Sequence, residues 1–255
     1  LNLLISNLKP FMRSAGEAIM EIYKVGIKPD FKKDGSPVTL ADKRSEEILI
    51  NGLNQFAPGI PIISEENSES HKILTDNYFF LVDPLDGTKE FLDFDGKGNF
   101  TVNIGLISDG IPIMGLIYIP VSQKLFFGLS KFGSYEEDSF GNIKPIQIRS
   151  YEGQNPIAVA SKKHRSKETN DWLVNKGISK IISASSSIKF CSIAKGEADV
   201  YPRFSPTMEW DTAAGHAILL GAGGLVTLGD ENKVLSYGKN KYRNNDFIAW
   251  GNYRS

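Results

Sequence analysis

Apolar residues recur at Leu4, Leu8, Phe11, Ala15, Ile19 and Ile22, the spacing of one helix face, and predict an amphipathic helix over residues 3 to 24. A Gly-Ser-Pro turn follows, and Thr39 is placed to cap a second helix running through Leu53. Asp42 falls in its first turn, where an acid meets the helix dipole favourably. Two short apolar runs then read as buried strands, Ile60-Pro61-Ile62-Ile63 and Phe79-Phe80-Leu81-Val82, and each runs straight into carboxylates. Ser64-Glu65-Glu66-Asn67 follows the first, and Asp83-Pro84-Leu85-Asp86 follows the second. Pro84 has no N–H to give to a ladder, so pairing is expected to stop there. Gly87 and Thr88 open a helix that continues through Phe91.

From Asn99 to Ile119 two apolar runs flank Ser108-Asp109-Gly110 and predict a β-hairpin. Lys124 to Leu129, and two short strands around Phe140-Gly141-Asn142, extend an antiparallel sheet. A lobe boundary is expected at Ser150 to Asn155, dividing the chain into lobes 1–150 and 151–255. The second lobe alternates: strands at 157–161, 178–184 and 198–201, with helices over 166–176 and 186–195 between them. A helix from Thr212 to Leu220 with Asp211 at its N-cap, and strands at 225–228 and 247–250, finish the chain.

At 255 residues, 41% hydrophobic and 23% charged, the chain has the composition of an ordinary globular protein. Its formal net charge of -1 makes no global case for nucleic acid or for a membrane surface, so any anionic ligand must be held locally. No run of 18 apolar residues occurs, so no spanning helix is expected, and Asn7, Lys9, Arg13 and Glu17 break any signal-peptide core in the first helix. One cysteine, Cys191, excludes an internal disulfide and fits a reducing compartment. A cytoplasmic location is expected, the first helix being the one element suited to lie on the inner face of a membrane; the sequence sets no oligomeric state. Histidines 71, 164 and 216 have no zinc-ligand spacing.

Carboxylates at the ends of two strands within about twenty residues are expected to converge, because ligands in α/β folds gather beyond the carboxyl ends of strands. Two such acids repel unless a cation lies between them, and oxygen-only ligands select hard ions such as Mg²⁺. Backbone amides at the Gly87-Thr88 helix start suit a phosphate. The string Asp-Pro-x-Asp-Gly also has the composition of a tight turn. The aspartyl-phosphatase signature Asp-x-Asp-Gly-Thr, with a nucleophilic first Asp, is a weaker match: two residues separate the acids here, and strand alternation would put them on different faces.

Ser64-Glu65-Glu66-Asn67, Asp83-Pro84-Leu85-Asp86-Gly87-Thr88 and Trp210-Asp211-Thr212-Ala213-Ala214-Gly215-His216 together resemble, in order and rough spacing, the inositol monophosphatase superfamily over nearly the whole chain. Ser185-Ser186-Ser187-Ile188-Lys189-Phe190-Cys191 and Ala198-Asp199-Val200-Tyr201-Pro202-Arg203-Phe204 are similar to the 3′(2′),5′-bisphosphate nucleotidases of CysQ type within it. The resemblance implies an α+β fold, a layered αβαβα sandwich of the sugar-phosphatase type. It implies a Mg²⁺-dependent, lithium-sensitive phosphatase that removes the 3′-phosphate of adenosine 3′,5′-bisphosphate, with 3′-phosphoadenylyl sulfate as a second substrate.

Carried to this sequence, the resemblance implies that Glu65, Asp83 and the Leu85 carbonyl hold one Mg²⁺, and Asp83, Asp86 and Asp211 a second. Family members add a third, largely water-bound ion near Glu65. Asp42 and Thr88 match the pair that positions and deprotonates the attacking water. Glu65, Leu85, Asp86, Gly87, Thr88 and Asp211 would surround the cleaved phosphate, while Ser186, Lys189 and Arg203 would hold the uncleaved one. The plainer account makes Ser186 a helix cap and Lys189 and Arg203 solvated charges. His164 is read as part of a basic exposed loop, with the base pocket as its alternative; Trp210 and His216 are read as packing. An inositol or sugar phosphatase with the same metals is the competing enzyme, and a binding protein without turnover the competing class.

Overall fold

The computed structural model describes residues 1–26, 30–31, 37–73, 75, 77–93, 99–153, 155–161, 165–231 and 233–252, with the backbone alone at 30–31 and 37–38. The Gly35-Ser36 part of the expected turn, and His164, lie outside the described residues. In chain order the elements are α1 (Asn2–Val25), β1 (Asp30–Phe31), β2 (Pro37–Val38), α2 (Leu40–Phe56), β3 (Ile62–Ser64), β4 (Tyr78–Asp86), α3 (Thr88–Leu92), β5 (Thr101–Ser108), β6 (Ile111–Ile119), β7 (Lys124–Leu129), β8 (Gly133–Glu137) and β9 (Ile143–Ile146). They continue with β10 (Ile157–Ala160), α4 (Lys167–Asn175), β11 (Lys180–Ser183), α5 (Ile188–Ala194), β12 (Val200–Arg203), α6 (Ala213–Gly221), β13 (Leu225–Leu228) and β14 (Phe247–Trp250).

Seven strands, β3 to β9, form one sheet in sequence order, antiparallel except for the β3–β4 pair. A second, mixed sheet has the order β11-β10-β12-β14-β13. Strand alternation sorts β4 between two cores. Phe80 and Val82 pack with Leu8, Met12 and Leu49 of α1 and α2, while Phe79 and Leu81 face a cluster containing α5, α6 and the inner face of the second sheet. Trp172 and Leu173 of α4 cover that sheet's outer face. The layers are therefore α1/α2, seven-stranded sheet, α5/α6, five-stranded sheet and α4, the αβαβα sandwich implied by the resemblance.

α6 lies unusually close to the large sheet. Gly105 and Gly115 face one another across β5 and β6, and a Cβ on either would fall on α6, against Ala213 or the Ala214 carbonyl. That approach brings the start of α6, and Asp211 just before it, down to the strand that carries Asp83. The hairpin turn at Asp109 and Gly110 has positive φ at both residues, the turn geometry that follows strand twist. Between the sheets, Arg149 grips the fully buried Asp199 with two hydrogen bonds of 2.7 and 2.5 Å, and Ile157 N–H donates to the same carboxylate at 2.6 Å.

Two local expectations are corrected. β4 does not stop at Pro84: it pairs on to Asp86 opposite Thr101, with a register shift between Asp83 and Asp86. A bulge absorbs the proline, one of the few places where a sheet tolerates the missing N–H. Asp211 is not the N-cap of α6; Thr212 is, and the Asp211 carboxylate instead accepts from the Met208 N–H at 2.8 Å. Among the described residues no helix is long and apolar enough to cross a membrane.

Candidate active site

The two acid-ended strands are neighbours. β3 runs parallel to β4 with Ser64 beside Val82, and the Glu65 N–H donates to the Val82 carbonyl at 3.1 Å, so Glu65 stands next to Asp83. The bulge then re-aims the chain. Asp83 bends back to accept the Leu85 N–H at 3.1 Å, and Ser45 of α2 donates to the Pro84 carbonyl at 2.7 Å. The Leu85 side chain enters the α1/α2 core. Asp86 emerges toward α5, where one oxygen, Oδ2, accepts both the Ser186 hydroxyl and the Ser187 N–H, the latter at 2.8 Å. Both acids therefore serve the same cleft, against the expectation from strict alternation, because the extra residue of the bulge resets the parity.

Carboxylate oxygens of Glu65, Asp83 and Asp211 all lie within 4.8 Å of one another. Asp83 is 1% exposed. Burial, then the charges of Glu65, Asp86 and Asp211, push its carboxyl well above the usual carboxylate range. Burial, then Asp86 and Glu65, do the same to Asp211. Burial raises Asp86 as well, against the opposing effects of the Ser186 hydroxyl and Lys189. Crowded, buried, oxygen-only donors of this kind are costly alone and fit a hard divalent cation, which cancels their repulsion.

Asp42 and Thr88 also meet. Thr39 caps α2 and Asp42 closes the capping box: its Oδ2 accepts the Thr39 N–H and hydroxyl, each at 2.7 Å. Its other oxygen, Oδ1, accepts the Thr88 hydroxyl at 3.3 Å, and that hydroxyl also lies 3.2 Å from the Leu85 carbonyl. Burial raises the Asp42 carboxyl while the Thr39 bonds lower it. The helix-cap role and the site position thus hold together, one on each oxygen. Gly87, at φ 95°, turns the chain into α3; any Cβ there would be strained and would press on the Asn99 carbonyl at 3.1 Å.

The cleft, of about 640 Å³, is lined by Glu65, Asp86, Thr88 and Asp211 and also by Ser186, Lys189 and Arg203. Ser186 is not a helix cap: Ser187 takes that place, and Ser186 sits at φ 56° with its hydroxyl on Asp86. Lys189 is not a solvated charge either. It is 5% exposed, its ammonium 5.2 Å above the Tyr201 ring with no hydrogen-bond acceptor among the described residues, and burial pushes its pKa down to about 8. The Arg203 side chain is partly buried: its Nε makes no hydrogen bond among the described residues, while the guanidinium donates to the Pro206 carbonyl at 3.4 Å and also hydrogen-bonds Tyr201. A buried ammonium with no acceptor, beside a guanidinium whose donors are only partly met, suits an anion in the cleft.

Trp210 and His216 are buried, as expected of packing residues; burial holds the His216 imidazole neutral, its pKa lowered to about 3. Four further residues, Thr101, Asn103, Ser187 and Tyr201, support the site without standing out in the sequence. Thr101 hydrogen-bonds Ser186 and Ser187, Ser187 donates to Asn103 at 2.7 Å, and together they brace the turn that holds Asp86. Only the hydroxyl-rich run 185–187 hints at this. Tyr201 supplies the floor under Lys189, its ring set edge-on against Phe190 and Phe247.

The sequence profile of the inositol monophosphatase family matches residues 5–253. The chain is 42% identical over 218 residues to the 3′(2′),5′-bisphosphate nucleotidase CysQ of Salmonella typhimurium, covering 84% of this chain and 86% of that protein. It is 44% identical over 230 residues to the Buchnera aphidicola protein of the same name, covering 88% and 85%. The crystal structure of CysQ from Bacteroides thetaiotaomicron superposes with a TM-score of 0.85 at 36% identity, over 99% of this chain and 98% of that one. The Thermotoga maritima IMPase shares the fold, with a TM-score of 0.79 at 18% identity over 97% and 92%. A profile match from end to end, relatives above 40% identical over more than four-fifths of both chains, and acid-ended strands meeting at one cleft all say that the chain belongs to the inositol monophosphatase family.

Proposed function

We propose that this chain is a 3′(2′),5′-bisphosphate nucleotidase, a Mg²⁺-dependent phosphatase that converts adenosine 3′,5′-bisphosphate to AMP and phosphate, and accepts 3′-phosphoadenylyl sulfate by the same chemistry. The observation that carries the reading is one cleft holding both an acid cluster built around the buried Asp83 and two cations with unmet hydrogen-bonding capacity, the buried Lys189 and the partly buried Arg203, as a substrate with two phosphates requires.

Glu65, Asp83 and the Leu85 carbonyl would hold one Mg²⁺, and Asp83, Asp86 and Asp211 a second. When bound, such ions supply Lewis acidity at the phosphoryl group and lower the pKa of a coordinated water. Asp86 is suited to its share because Oδ2 takes both bonds from the Ser186-Ser187 turn, so Oδ1 stays available. Thr88 accepts a proton from the attacking water at Oγ1 as it passes its own to Asp42 Oδ1, and the raised Asp42 carboxyl is a base matched to that task. Thr39 keeps Asp42 in this orientation. Lys189 and Arg203 bind the 5′-phosphate, Ser186 supports them by holding the turn beside it with its hydroxyl on Asp86, and the Gly87-Thr88 turn faces the phosphate that leaves.

Phosphate release with Mg²⁺ from adenosine 3′,5′-bisphosphate, inositol 1-phosphate and fructose 1,6-bisphosphate tests the reading. The nucleotide is expected to have the highest kcat/KM; preference for either other substrate would favour an inositol or sugar phosphatase, and no release from any would favour a binding protein. A pH profile tests the base. Asp42 works when ionised, so kcat falls as pH drops through its pKa. Thr39→Val removes a bond that lowers that pKa, so the acid limb is expected to move to higher pH with the plateau little changed. An unmoved limb would assign the limb to another group.

A further inference from the structure

We propose that His71 is a positioning residue for the acid cluster, fastening the loop that carries Glu65 to the loop that carries Asp211. The inference rests on the reading above that these acids bind a divalent ion. Neither acid sits inside a regular element: Glu65 follows the last residue of β3, and Asp211 precedes the cap of α6. Loop ligands need outside support to hold a fixed separation.

His71 lies in a short 3-10 turn, Ser70–Lys72, and touches the residue before each acid. Its Nε2 lies 2.8 Å from the Ser64 carbonyl, and since a carbonyl only accepts, Nε2 carries the hydrogen. The same ring is stacked on Trp210, with centroids 4.9 Å apart and planes 22° apart. Tyr242 closes the arrangement. Its ring is 6.3 Å from both His71 and Trp210, its hydroxyl donates to the Ile73 carbonyl at 3.2 Å, and its own carbonyl accepts the Glu209 N–H at 2.8 Å. Glu209, fully buried, accepts the N–H groups of Gly238 and Lys239, which ties the Asp211 loop to the same corner. A displacement of either acid-bearing loop must therefore break the imidazole's bond or slide its stack.

The test is calorimetric titration of the EDTA-stripped 255-residue chain with Mg²⁺, which reads metal affinity apart from turnover. His71→Ala is expected to weaken Mg²⁺ binding about tenfold or more, the scale of losing an outer support of a metal ligand. At saturating Mg²⁺ its KM for the nucleotide is expected to stay within twofold of wild type. His71→Phe keeps a ring on Trp210 but loses the carbonyl bond, and is expected to fall between the two. Wild-type Mg²⁺ affinity in His71→Ala and His71→Phe would overturn the proposal; should His71→Ala fail to fold, His71→Phe alone decides it. A wild-type chain that binds no divalent ion would defeat the underlying reading, an outcome distinct from variants that match a binding wild type.

Discussion

Asp83→Asn is expected to cut turnover of adenosine 3′,5′-bisphosphate by on the order of a thousandfold, since several kcal/mol of transition-state stabilisation depend on an anionic ligand assigned to both ions. The same variant is expected to melt at a higher temperature than wild type in EDTA at neutral pH. The sign follows from the raised carboxyl: burial and three neighbouring acids make the folded state hold the Asp83 proton more tightly than the unfolded chain does. Ionised Asp83 therefore costs stability above its folded pKa, and that cost fades as pH falls into the ordinary carboxylate range. Asparagine removes the charge yet can still accept the Leu85 N–H. The stabilisation should accordingly shrink in acid and reverse when Mg²⁺ is added to both proteins. Steady-state phosphate release and calorimetric melting with and without EDTA check it; activity within a few fold of wild type would end the bridging role.

The second large effect concerns selectivity. Lys189→Ala and Arg203→Ala are each expected to raise KM for adenosine 3′,5′-bisphosphate by about 10- to 100-fold, the scale of a charge-assisted hydrogen bond worth about 1.5–3 kcal/mol. Inositol 1-phosphate, lacking a second phosphate, should keep its kcat/KM within a few fold. Lys189 adds a pH signature: with its pKa down to about 8, the free enzyme loses that positive charge above this pH. For the bisphosphate, kcat/KM should then show an alkaline limb near pH 8 that Lys189→Ala abolishes. Nucleotide turnover untouched by both variants, with inositol phosphate hydrolysed better, would overturn the nucleotidase assignment.

Much of this architecture is written in short-range pattern. The helical spacing of Leu4 to Ile22, the Thr39 cap and the acid-ended apolar runs each depend on neighbours in sequence, and α1 and α2 form where that spacing puts them, as do β3 and the first half of β4, which runs on past Pro84 to Asp86. The convergence of Glu65 and Asp83 was legible too, because β3 and β4 are adjacent parallel strands. What pattern could not carry was parity across the Pro84 bulge, since counting in twos presumes an unbroken pleat. Nor could it carry the burial of Lys189, set by Tyr201 and a neighbouring sheet, or the placing of His71 between two loops distant in sequence. Those are properties of packing between layers.

The double use of Asp42 has a consequence for how such chains can vary in length. One oxygen fixes where α2 begins and the other reaches Thr88, so the first turn of the helix is indexed to the cleft. Each residue added or removed between Thr39 and Asp42 would rotate the carboxylate by about 100° around the helix axis, away from its partner. An insertion or deletion in that short stretch would therefore cost the link to the cleft even if the helix still formed, and the few residues after Thr39 act as a fixed-length gauge.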